Sequence, residues 1–134
     1  MKNNIFKRIA KVFLIISLAI LYISCSTNKP SSNIKEFFNY PNPFNSKEEA
    51  YTTFKVSIDT GEIIETNLYI YSQEGNLVDE KTMTISTDKK EATAIWSAID
   101  KNGNYLPPSI YTSKVILKDN QDSTFVSEFK TSVI

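Results

Sequence analysis

The sequence predicts an all-β fold, an antiparallel sandwich of about seven short strands. Three observations predict it. Apolar and polar residues alternate through successive stretches after Asn33, which is the period of a half-buried strand. Turn signals such as Asp59-Thr60-Gly61, Gln73-Glu74-Gly75-Asn76 and Asp100-Lys101-Asn102-Gly103-Asn104 separate these stretches at regular spacing. No helical stretch lies among them. A β-barrel of similar strand count fits the same observations.

The elements follow in chain order. Lys2, Lys7, Arg8 and Lys11 give a basic start, Val12 to Ile23 are apolar, and Ser24 and Cys25 follow. As a helix, that apolar run reaches only about 18 Å, against a hydrocarbon core of about 30 Å. Flanking cations stop it from extending backward, and Asn28 and Lys29 stop it from extending forward. The segment therefore reads as an export signal rather than a membrane-spanning helix. From Ser26 to Asn33 the chain is Ser, Thr, Asn, Lys and Pro, the composition of a flexible tether.

The domain is expected over residues 34–134. Pro41 and Pro43 in "NYPNPFN" fix φ and remove two backbone donors, so this segment forms an edge or a corner, with Phe44 plugging the sandwich end. "AYTTFKVSI" puts Ala50, Thr52, Phe54, Val56 and Ile58 on one face and Tyr51, Thr53, Lys55 and Ser57 on the other. In "EIIETNLYIYS" the core face takes Ile64, Leu68 and Ile70. Gly75 is then free to adopt positive φ in a hairpin turn, and "LVDEKTMTIS" runs back as one strand. "EATAIWSAI" turns Ala92, Ala94 and Trp96 inward, Trp96 as a core residue whose N–H finds a partner. "SIYTSKVILK" and "STFVSEFKTSVI" complete the set, with Tyr111 spanning core and rim and its hydroxyl reaching backbone.

If Leu68 and Ile70 face inward, Tyr69 and Tyr71 point outward together, and Tyr51 is expected near them on a neighbouring strand. Exposed tyrosines offer contact area to a sugar ring or a partner protein at small entropic cost. The alternative is that Tyr71 packs under a loop.

Composition excludes several function classes. From Cys25 onward eleven lysines stand against fifteen carboxylates, a net charge of −4, with no arginine or histidine. Nucleic-acid binding and imidazole-based catalysis are not expected. The serines lack their usual activating base, no glycine-rich phosphate loop is present, and the carboxylates fall on predicted surfaces and strand ends. "DKNGN" from Asp100 has the alternating oxygens of a calcium loop but not its later glutamate, and reads as a β-turn. No catalytic residue, metal ligand or cofactor is expected. With one cysteine there is no intramolecular disulfide.

Two resemblances add to this reading. Leu21-Tyr22-Ile23-Ser24-Cys25 resembles the lipobox of bacterial lipoproteins, although Tyr22 stands where leucine is usual. The resemblance implies cleavage between Ser24 and Cys25, a signal peptide of residues 1–24, and diacylglycerol on the Cys25 sulfur, with further acylation such as palmitate on the new amino group. Residues 25–33 then join lipid to domain. Ser26 is not the aspartate of the familiar inner-membrane retention rule, which tilts the expected location toward the outer membrane. The alternative is an unmodified cysteine after an ordinary signal or an uncleaved anchor. "NYPNPFNSKEEAYTTFKVSI", "LYIYSQEGNLV" and "IWSAIDKNGNYLPPSIYTSKVIL" together resemble the immunoglobulin-like module of flagellar hook-capping proteins and the C-terminal sorting domains of type IX secretion cargo. Ser109 replaces the usual glycine, and Ser72 stands where aspartate is common. An immunoglobulin- or fibronectin-like sandwich is implied.

The expected function is that of a lipid-anchored envelope protein, non-catalytic, whose domain serves structure or protein interaction with an envelope partner. The alternatives are an exported glycan- or protein-binding module and a secretion or flagellar hook component.

Overall fold

The computed structural model describes residues 33–49 and 51–134. Their eight strands are β1 (Ile34–Tyr40), β2 (Thr52–Ile58), β3 (Ile63–Tyr71), β4 (Leu77–Thr82), β5 (Thr84–Ile85), β6 (Glu91–Trp96), β7 (Ser109–Asp119) and β8 (Thr124–Val133). They form two four-stranded antiparallel sheets, ordered β1-β2-β6-β5 and β4-β3-β7-β8. This is the expected sandwich, and the inward faces alternate as period-2 patterning dictates. Phe54, Val56, Ala92, Ala94 and Trp96 from the first sheet meet Leu68, Ile70, Val115, Leu117 and Phe125 from the second.

Two strands differ from expectation. "KEFFNY" forms most of β1, where consecutive phenylalanines hide the alternation: Phe37 turns inward against Phe129, ring centroids 4.7 Å apart, and Phe38 turns outward. "LVDEKTMTIS" splits at Met83, leaving the second sheet as β4 and joining the first as β5. Met83 itself is buried, and its N–H donates to the Thr66 carbonyl at 3.0 Å.

A bulge corrects one core assignment. Register shifts between Ile63 and Glu65 opposite Asp119 and Lys118. The extra residue reverses the alternation, so Ile63 is buried and Ile64 is half exposed.

The proline corner performs two jobs. Phe44 is fully buried beside Trp96, centroids 5.7 Å apart, and bridges Val133 in parallel fashion. Asn42 uses its side-chain amide as a substitute strand: Nδ2 donates to the Lys130 carbonyl at 3.1 Å, and Oδ1 accepts from the Ser132 N–H at 3.0 Å. The edge of β8 is thereby capped, which limits edge-to-edge pairing. At the opposite edge, inward-turned Asp79 on β4 pairs with Lys81 at 3.1 Å, another device against strand addition.

Trp96 also packs edge-on against Tyr111, centroids 5.5 Å apart. Its indole N–H has no hydrogen-bond partner among the described residues, contrary to expectation. The Tyr111 hydroxyl does reach backbone, donating to the Pro107 carbonyl at 2.7 Å. Burial, and secondarily the charge of Glu74, push the Tyr111 pKa up. Ser109 opens β7 without a positive φ, so serine is unstrained at the position where the resembling modules carry glycine.

Candidate functional site

The two ends of the sandwich differ in character. At one end β1 begins, β2 and β7 finish, and the chain enters through Asn33. The Asn33 Oδ1 accepts from the Thr60 N–H at 2.9 Å and the Thr60 hydroxyl at 2.8 Å, and its Nδ2 donates to the Thr60 carbonyl. Asn120 ties the neighbouring turns together, its Oδ1 accepting from Glu62 N–H at 3.1 Å and its N–H donating to the Glu62 carbonyl at 2.9 Å. This entry end is polar and cross-tied. At the far end lie Pro41 to Phe44, the turn after β3 and the turn from Asp100.

On the outer face of β1, β2 and β6, strand register assembles an apolar patch in the far half. Tyr40 lies opposite Thr53, and Thr53 lies opposite Ile95. Tyr51 sits two residues before Thr53, and Phe38 two before Tyr40, both on the same outward phase. Tyr40 is 77% exposed, Ile95 55%, Tyr51 50% and Phe38 42%. At 150–250 Å² for a whole aromatic side chain, these four present on the order of 400 Å², within the range where an exposed patch marks an interaction site. Charge adjoins the patch at Lys55, which lies opposite Phe38 and pairs with Glu91 at 2.7 Å, and Glu36 follows toward the entry end.

The outer face of β4, β3, β7 and β8 is different. Tyr69 and Tyr71 do point outward together, since Leu68 and Ile70 are fully buried. Both tyrosines are themselves half-buried. Tyr69 stands between Glu80 on β4 and Lys114 on β7, and Lys114 pairs with Glu128 on β8 at 3.2 Å. Tyr71 stands between Leu77 and Thr112. A shallow groove of about 300 Å³ runs beside Tyr69, lined by Asn67, Glu80, Lys81 and Thr82.

Tyr51 is therefore not beside Tyr69 and Tyr71. It precedes β2 in the first sheet, whose neighbours are β1 and β6, and β3 belongs to the second. The three tyrosines fall on opposite outer faces of the sandwich. The residues that do accompany Tyr51 are Tyr40, Phe38 and Ile95. Their signal was present in the sequence as apolar side chains at outward positions, but reading it required the existence of β1 and the pairing of β2 with β6.

The remaining sequence candidates resolve as follows. Asp100 opens a closed turn, its Oδ1 accepting from the N–H groups of Asn102 and Asn104 at 2.8 Å each, with Gly103 at φ 86°. The Asn104 backbone bond holds the Asp100 pKa below the usual carboxylate value. Glu49 accepts from the Asn45 N–H at 2.8 Å, and Asp119 accepts from Gln121 and Ser123 N–H at 2.9 and 2.8 Å. These carboxylates organise local turns. Among the described residues no group of three or more acidic, Cys or His side chains could hold a metal, and no helix is long and apolar enough to cross a membrane. Ser24 and Cys25 lie outside the described residues.

No family model matches the chain, and no curated protein does. Solved structures share the fold. CopC from Methylosinus trichosporium OB3b superposes with a TM-score of 0.51 at 18% identity, over 76% of this chain and 92% of CopC. Dimeric latent PorU from Porphyromonas gingivalis superposes with a TM-score of 0.58 at 18% identity, over 73% of this chain and only 9% of PorU. FlgD from P. aeruginosa gives a TM-score of 0.45 at 18% identity, over 60% of this chain and 61% of FlgD, too low a similarity to bear on the fold. At such identity the first two likenesses establish the β-sandwich and nothing about ligand or partner.

Proposed function

We propose that the chain is a lipid-anchored cell-envelope protein, held through Cys25 most naturally at the outer membrane, whose sandwich is a non-catalytic interaction module. The observation that carries the interaction role is the exposed apolar patch of Tyr40, Tyr51, Phe38 and Ile95, set toward the end opposite chain entry. The anchoring role rests on the sequence: a basic start, a short apolar run and a cysteine after a small residue. Two or three acyl chains give a bilayer hold well beyond the marginal single-chain case.

The test is fractionation with mass analysis of the mature chain. The expected product begins at Cys25, carries acyl chains and sits in the membrane fraction, and Cys25→Ser leaves an unprocessed or soluble product. A Cys25→Ser variant that is still processed and membrane-bound refutes the anchor. Cross-linking in the native envelope tests the module: adducts from Tyr40 or Tyr51 positions are expected, and adducts confined to the Tyr69 face would move the interaction surface to the other sheet.

A further inference from the structure

The proposed anchor and the first strand of the domain are joined by a short piece of chain. From Cys25 to Asn33 there are eight residue steps, which cannot span more than about 30 Å. A lipidated Cys25 thus confines the domain to a thin layer over the bilayer, where the effective concentration of lipid surface is high. Within that layer the domain carries one outer face whose last row, Tyr40, Thr53 and Ile95, holds no charge, with Phe38 and the ion-paired Lys55 in the row behind it. β1, the strand that continues the tether, contributes Phe38 and Tyr40 to that face, and the adjacent strands contribute Ile95 and the position of Tyr51. Laid flat, this sheet brings β1 alongside the headgroups with no need for the tether to extend fully.

The chemistry of the patch suits that neighbour. Tyrosine places an apolar ring with a hydroxyl tip where hydrocarbon gives way to water, and is enriched at both interfaces of membrane proteins. Phe38 and Ile95 supply purely apolar area, and Thr53 between Tyr40 and Ile95 supplies a hydroxyl. The opposite outer face carries Glu80, Lys114, Glu128, Lys118 and Lys130 among its outward residues, and burying such charges in an interface costs free energy. We infer that the outer face of β1, β2 and β6 is a bilayer-docking surface, so that the lipid and the Tyr40–Tyr51 patch together fix the domain flat on the membrane. This inference rests on the lipid anchor proposed above.

The test uses the full chain, purified with its lipid and reconstituted in phosphatidylethanolamine–phosphatidylcholine vesicles. A single environment-sensitive thiol probe is placed at Thr53→Cys on the docking face, or at Thr112→Cys on the opposite face. The expected result is a blue-shifted emission and severalfold weaker quenching by aqueous iodide at residue 53 only. Tyr40→Ser with Tyr51→Ser in the Thr53→Cys background should restore quenching while melting at the same temperature. Equal quenching at both positions, with the chain still vesicle-bound, overturns the docking and leaves the anchor intact. Protection of residue 53 before vesicles are added also overturns it, because a second copy or a protein then covers the face. The chain without an added cysteine is the control for the anchor: an acylated Cys25 takes no probe, whereas labelling at Cys25 removes the anchor and this inference with it.

Discussion

The two outer faces of the sandwich are built on one core and by the same alternation, yet they meet solvent in opposite ways. On the β4-β3-β7-β8 sheet Tyr69 is hemmed by charges, with Glu80 and Lys114 flanking it and Glu128 extending the row, while Tyr71 stands between Leu77 and Thr112. On the β1-β2-β6-β5 sheet the far half has Tyr40, Thr53 and Ile95 in one row and no charge among them. Fold alone requires neither pattern, because outward positions of a strand tolerate almost any residue that does not disturb pairing. The difference teaches that aromatic content is a poor guide to a binding face until the neighbours across the strands are known.

The largest effect tests what the faces share. Phe44→Ala removes a fully buried ring from against Trp96 and is expected to cost about 3–5 kcal/mol, seen as a denaturant midpoint shift reported equally by probes on both sheets. A shift confined to one sheet would mean that the sheets unfold separately. Next comes the join between them. Asn42→Ala deletes the amide that bonds Lys130 and Ser132, and the loss of two net hydrogen bonds is expected to cost about 1–2 kcal/mol. Hydrogen exchange should quicken at Ser132 and leave the β3–β4 pairing protected.

A smaller effect carries a pH signature. Tyr111→Phe gives up the bond to the Pro107 carbonyl, about 1 kcal/mol near neutral pH. Because the folded pKa of Tyr111 is raised, the folded state holds this proton more tightly than the unfolded one. The associated stability is complete below the ordinary tyrosine value near 10 and is lost as pH rises through the folded value. Urea melts from pH 7 to 11 should therefore show wild type and Tyr111→Phe converging at the alkaline end. The smallest effect sharpens the contrast itself. A double-mutant cycle on Lys114 and Glu128, a partly exposed pair, should give less than about 0.5 kcal/mol and vanish in high salt. Tyr40→Ser should change stability by no more than about 0.5 kcal/mol, so any large phenotype from it reports contact with something outside the domain.

Much of the fold was legible because alternation and turn chemistry agree. β2, β6 and the core parts of β3 and β7 were readable from their apolar phase, and Gly75 takes the positive φ that its turn needs, at 86°. The Tyr111 hydrogen bond was readable as well. What was hidden depends on non-local pairing. Ile63 replaces Ile64 in the core only because a bulge forms opposite Asp119 and Lys118. The break at Met83 is invisible locally, since the residues on either side are equally good strand formers. Tyr51 lost its expected neighbours for the same reason: which strand lies beside which is a property of the two sheets, not of any one segment.

The Asn42 amide that bonds β8 is also protected chemically. Asparagine side chains age when the next backbone nitrogen attacks them and the amide is lost as ammonia. Asn42 is followed by Pro43, whose nitrogen carries no hydrogen, so that route is closed at the one amide that holds β8. Asn102, followed by Gly103 in the exposed turn from Asp100, has no such shield. The chemical clock of this domain accordingly runs in the Asp100 turn, while the Asn42 clasp stays intact.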